Sequence, residues 1–136
     1  MKGVGVWLRV RRRRRVARRS RATQAHYLAH REKARALVHE RLEYWNMHYG
    51  CSYGRVAIRD QRTRWGSCSS KQNLNFNYRI IFLPPHLADY IIVHELCHLL
   101  ELNHGPQFWT CVARTMPTYA THIQELRTLN MHTLGQ

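Results

Sequence analysis

The chemistry legible in this chain is carried by three imidazoles and one carboxylate, all between His94 and His104. His94 and His98 stand four residues apart. On a helix both rings then project from one face at successive turns, close enough to share one tetrahedral zinc ion. Glu95 follows the first histidine directly, which sets its carboxylate beside the ion rather than on it, placed to take a proton from an activated water. This is the HExxH spacing.

A third ligand has to come from beyond that helix. His104 lies six residues past His98, and a continuing helix would turn it about 240° away, so the helix must stop first. Asn103 tolerates the left-handed conformation of a helix C-cap, and Gly105-Pro106 opposes continuation. A chain that folds back there offers His104 as the third ligand and leaves a fourth position open, the catalytic rather than the structural pattern. Glu101 competes, being i+3 from His98 and i+7 from His94 on the same face. A residue on the same helix axis is badly placed to complete a tetrahedron begun by its neighbours, which favours His104.

The elements that must hold these residues follow from periodicity. Tyr90, Ile91, Ile92, Val93, Leu96, Leu99, Leu100 and Leu102 make the zinc helix apolar on more than one side, as a buried site requires. Upstream, Thr23 to Tyr49 has no Pro or Gly and reads as one long helix. Ala34, Val38, Leu42, Trp45 and Tyr49 form its buried stripe, and Gly50 ends it. His26, His30, His39 and His48 are expected on its surface.

Arg55 to Asp60 alternates as a half-buried strand. Arg64 to Ser70 reads as turn-rich. Leu74 to Tyr78 alternates with asparagines, predicting a strand with one wet face that continues through Arg79 to Leu83 and stops at Pro84-Pro85. The sheet is expected to be small and antiparallel, with the Leu74–Tyr78 strand as the edge along which an extended substrate pairs. Pro85 or His86 starts the zinc helix, and Gln107 to Met116 and Thr118 to Leu129 are two closing helices. The fold class is α+β with a zincin-like core. Tyr78, Arg79, Tyr119 and His122 are all eligible to stabilise an oxyanion, and sequence does not choose among them.

The 136 residues bound one domain, and the net charge of +14 is unevenly spread. Residues 1–31 hold eleven basic residues and no acid, against eleven basic and eight acidic in the remainder. Residues 1–21 are expected to be a basic, disordered arm ahead of a catalytic domain at 22–136, although Met1 to Val10 alternates loosely enough for a stray strand. Arg11, Arg12, Arg13, Arg14, Arg15, Arg18 and Arg19 are the candidate contacts to nucleic acid. They supply many guanidinium charges and no element shaped to read bases, and the competing reading is a solvated extension of the helix.

The four cysteines form no C-x-x-C pair, which excludes a second zinc site of the ribbon kind and fits reduced thiols, with Cys97 a core residue. Neither a secretory leader nor a membrane span is expected, which places the protein in the cytoplasm.

Several separated motifs add a resemblance. Arg64-Trp65-Gly66-Ser67-Cys68-Ser69, Leu74-Asn75-Phe76-Asn77, Leu83-Pro84-Pro85 and the run from His94 to Trp109 stand in the order seen in the YgjP-like family of metal-dependent hydrolases, which this chain resembles over Arg55 to Met116. The resemblance implies a zinc metallopeptidase of the zincin group, distantly similar to SprT-like proteases that act at DNA. It implies one zinc per chain on His94, His98 and His104, with Glu95 as the catalytic acid/base and a peptide or protein as substrate. It also implies a small β-rich region before the long helix, of which Met1 to Val10 would be a remnant. The alternative reading is a nucleic-acid-associated zinc protein whose hydrolysis is secondary or confined to nucleic-acid-bound proteins.

Overall fold

The computed structural model describes residues 20–135, so the expectations for Met1 to Val10 and for the arginine block lie outside the described residues. The chain runs α1 (Arg21–Tyr49), β1 (Val56–Arg59), β2 (Gly66–Cys68), β3 (Leu74–Asn77), a 3₁₀ turn (Tyr78–Phe82), α2 (Pro85–Leu100), α3 (Pro106–Ala113) and α4 (Tyr119–Thr128). It is α+β, with the buried helix α2 at its centre.

Local chemistry sets the ends of α1. The Ser20 side chain accepts from the Thr23 N–H at 3.1 Å, and Gly50 closes the helix in the left-handed region at φ 62°, its N–H bonded to the Asn46 carbonyl. Ala34, Val38 and Leu42 are fully buried, while Trp45 and Tyr49 are partly covered. Arg41 grips Asp89 through two bonds of 2.7 and 3.1 Å, tying α1 to the first turn of α2. His39 and His48 are exposed as expected, whereas His26 and His30 are half-buried. His26 Nδ1 meets the Tyr78 hydroxyl at 2.8 Å, and both rings pack on Phe82.

The sheet departs from the antiparallel expectation. Its order is β1-β3-β2, with β2 antiparallel to β3 but β1 parallel to β3. The segment read as turn-rich supplies β2, because a tight reversal through Ser69 and Gln72 folds it back as a hairpin on β3. Two successive reversals leave β3 running in the direction of β1, and it inserts between the other two strands. The Leu74 strand is therefore central, and the free edges among the described residues are β1 and β2.

Asn77 explains why the strand ends where it does. Expected on a wet face, it is fully buried. Its amide donates to the Gln61 and Arg64 carbonyls at 2.6 and 3.0 Å, and its oxygen accepts from the Arg79 N–H at 3.0 Å. That last bond caps the 3₁₀ turn in place of the expected continuing strand. Arg79 then reaches back to Asp60 at 2.8 Å, both side chains buried. Asn77→Ala removes the side-chain partner of two carbonyls and one N–H, of which the Gln61 carbonyl keeps a longer bond from Arg79 at 3.4 Å, and the expected cost is about 2–4 kcal/mol. A urea titration should show the lowered midpoint, and an unchanged midpoint would contradict this assignment.

Candidate metal centre

α2 begins with Pro85 at its first position, where the missing N–H costs nothing. It is apolar almost all round, and His94, Glu95 and His98 are buried in it. It ends at Leu100, with Glu101 in extended conformation at φ −140°. Asn103 does not take the left-handed conformation expected of it; among the described residues Gln72 is the one non-glycine that does. The helix stops because Glu101 leaves helical geometry while its N–H still bonds to the Cys97 carbonyl, and Gly105-Pro106 opens α3.

The turn that follows brings His104 back over the helix. His94 Nε2 lies 3.1 Å from His98 Nε2 and 3.2 Å from His104 Nε2. Two nitrogens bonded to one zinc at ~2.0–2.1 Å in tetrahedral geometry stand roughly 3.3–3.4 Å apart, so the three rings converge at nearly the separation one ion requires. The Glu101 side chain is exposed and outside this group. Its backbone carbonyl accepts from His98 Nδ1 at 3.1 Å, which leaves the His98 Nε2 lone pair for a ligand. Tyr90 holds the corresponding atom of His94, its hydroxyl standing 3.2 Å from Nδ1. Phe108, fully buried, stacks on His98 at 4.4 Å and meets His94 and His104 edge-on at 4.9 Å each.

Glu95 is 1% exposed, and neither of its carboxylate oxygens has a hydrogen-bond partner. A buried carboxylate without partners is costly, and the orphaned pair beside three convergent imidazoles fits a cation with attached water. Gly66 of β2 makes the space. A Cβ there would lie 3.1 Å from Glu95 Cγ, 3.2 Å from Glu95 Oε1 and 3.1 Å from the Asn75 carbonyl. Burial pushes the Glu95 pKa up to about 8, slightly opposed by the charge of Arg64. Burial likewise lowers His94 well below the ordinary histidine value, helped by His98 and His104. It brings His98 down to about 4 and lowers His104. All three are neutral near pH 7, the state in which an imidazole binds metal.

Of the eligible oxyanion donors, Tyr78 and Arg79 are engaged with His26 and Asp60. Tyr119 and His122 belong to α4. Tyr119 stacks on Trp109 at 4.8 Å, and Trp109 lies 6.0 Å from His104, ring to ring. Sequence reasoning missed Tyr90, Gly66 and Phe108 as parts of the site. Tyr90 was within reach, since it precedes His94 by four residues on the same helix face, and Phe108 lies inside the run that carries the resemblance. Nothing local marks Gly66 as the neighbour of Glu95.

These shifts set the pH dependence of the metal-free protein. Glu95, raised when folded, stabilises fully below its unfolded value of 4.5, and that contribution is lost as pH rises toward about 8. His98, depressed when folded, stabilises above 6.5, and that is lost as pH falls toward about 4, with His94 and His104 in the same sense. Several histidines outweigh one glutamate below 6.5, and Glu95 acts alone above it. Denaturant titrations of chelator-treated protein should therefore give maximal stability near pH 6.5. A profile still rising to pH 8 would contradict the buried state of Glu95.

Comparison with known proteins bears on this geometry. No curated protein matches the chain. A solved structure of similar fold is that of the metallopeptidase zymogen of Pyrococcus abyssi abylysin, 24% identical with a TM-score of 0.56, covering 65% of this chain and 87% of that one. The family model described as YgjP-like, metallopeptidase domain, matches residues 6–129, which takes in the arginine block as well as every element from α1 to α4. With nearly the whole chain inside that match, the protein belongs to the YgjP-like family and is a metal-dependent peptidase.

Proposed function

We propose that the metal is zinc, held by His94, His98 and His104, and that Glu95 is the general acid/base for hydrolysis of a peptide bond. The observation that carries this reading is the convergence of three neutral imidazole nitrogens next to a buried carboxylate with no partner of its own. Zinc held there would lower the pKa of a water from about 15.7 toward about 7 and would polarise a substrate carbonyl. Glu95 accepts the proton of the attacking water and returns it to the leaving amine; a cation beside it would favour the charged carboxylate, against the upward push of burial. Its burial excludes bulk water, and Gly66 lets β2 approach closely enough to hold the carboxylate in one orientation. Since β3 is central, β2 is the edge on which an extended peptide pairs beside Glu95.

Two sets of variants test this. His94→Ala, His98→Ala and His104→Ala should each lose most of the bound zinc while Glu101→Ala keeps it. If Glu101→Ala releases zinc and His104→Ala retains it, the ligand set is wrong. Glu95→Gln should keep metal and fold while peptide turnover falls by a factor on the order of 10² to 10⁴. Undiminished turnover would remove Glu95 from the mechanism.

A second reading rests on charge alone. Arg11, Arg12, Arg13, Arg14, Arg15, Arg18 and Arg19 would hold the domain non-specifically on nucleic acid, restricting hydrolysis to proteins bound there. A truncation starting at Ser20 retains the cap of α1 and should keep zinc and peptidase activity. It should lose most duplex binding and a salt slope of roughly −0.9 per phosphate contact. Equal binding by the full and shortened chains would discard this reading.

A further inference from the structure

A second group of metal-binding side chains lies at the start of α2 rather than near its end. His86, from the first turn of α2, and His122 and Glu125, one turn apart on α4, bring ligand atoms within 4.8 Å of one another. His86 Nε2 is 2.8 Å from Glu125 Oε2, and the His86 and His122 rings are 5.6 Å apart. His122 Nδ1 is sealed from solvent with no hydrogen-bond partner. We propose that His86, His122 and Glu125 form a surface site for a transition-metal ion of the zinc, nickel or copper(II) class. The site is separate from the centre at His94 and independent of the function proposed for it.

The donor set decides the class of ion. Two imidazoles and one carboxylate suit zinc, copper(II) and nickel, whereas calcium and magnesium require oxygen ligands throughout. His122 and Glu125 are three residues apart on one helix, so two ligands already share a face. The third comes from another element. The 2.8 Å contact between His86 and Glu125 is shorter than the roughly 3.3–3.4 Å edge of a zinc tetrahedron. Binding therefore replaces that hydrogen bond with two metal bonds after a small outward rotation, which side chains 49% and 50% exposed allow. Water completes the shell on the open side. A simple His86–Glu125 hydrogen bond, by contrast, leaves His122 Nδ1 unmatched.

An ion there ties α4 to the beginning of α2. Its effect reaches the first centre through aromatic contacts. Tyr90 lies 5.9 Å from His122 and 5.8 Å from His94, ring to ring, and Tyr119 of α4 stacks on Trp109. The second ion thus acts as a clasp between α4 and α2, the helix that carries His94 and His98.

Zinc titration of the full-length chain, followed by calorimetry and metal analysis, tests the proposal. Expected are one further equivalent beyond the ion held at His94, and a higher thermal midpoint as it binds. His122→Ala and Glu125→Gln should each lose the further equivalent and keep the first, which also reports an intact fold. His94→Ala should do the reverse. Uptake of no further equivalent by the wild-type chain, or its persistence in a His86→Ala/His122→Ala double variant, would overturn the site.

Discussion

The structure depends on keeping a carboxylate buried without a hydrogen-bonding partner. Glu95 is sealed from bulk solvent, and none of its protein neighbours donates to it. An arrangement so unfavourable for a static core is maintained by everything around it. α2 is apolar nearly all round, β2 presents a glycine where any side chain would intrude, and Asn77 fixes the Gln61–Arg64 loop that leads into β2. Stability is given up locally at Glu95, the group proposed to exchange protons.

The same region shows how supporting groups can be recruited from the backbone and from ordinary core residues. The Glu101 carbonyl, the Tyr90 hydroxyl and the Phe108 ring lie against the imidazoles and limit their rotation, and the Glu101 carbonyl, which can only accept, sets the tautomer of His98. Glu101, whose side chain competed as a third ligand, touches this group through its main-chain carbonyl on His98.

Much of this was legible in the sequence because its determinants are local. Helical periodicity located α1 and α2, proline positions bounded α2 and α3, and the spacing of His94, Glu95, His98 and His104 forced a helix end between the second and third histidines. What was not legible depends on contacts between distant segments. The parallel pairing of β1 with β3 follows from strand insertion, which alternation does not encode. Asn77 carries the same polar side chain whether it faces solvent or a pair of carbonyls. The helix end was foreseen but attributed to Asn103, because propensity names residues that tolerate a cap without saying where a tertiary contact sets it.

The contrast between His94–Phe108 and Gly66 has a consequence for how the molecule comes together. All three convergent imidazoles and their aromatic support arise from one contiguous stretch, whose contacts close short loops. The environment of Glu95 is different, since it exists only after a strand nearly thirty residues upstream, beginning at Gly66, has docked. The imidazoles and the carboxylate thus rest on different parts of the chain, and a change confined to the sheet would disturb the surroundings of Glu95 more than the convergence of the three rings.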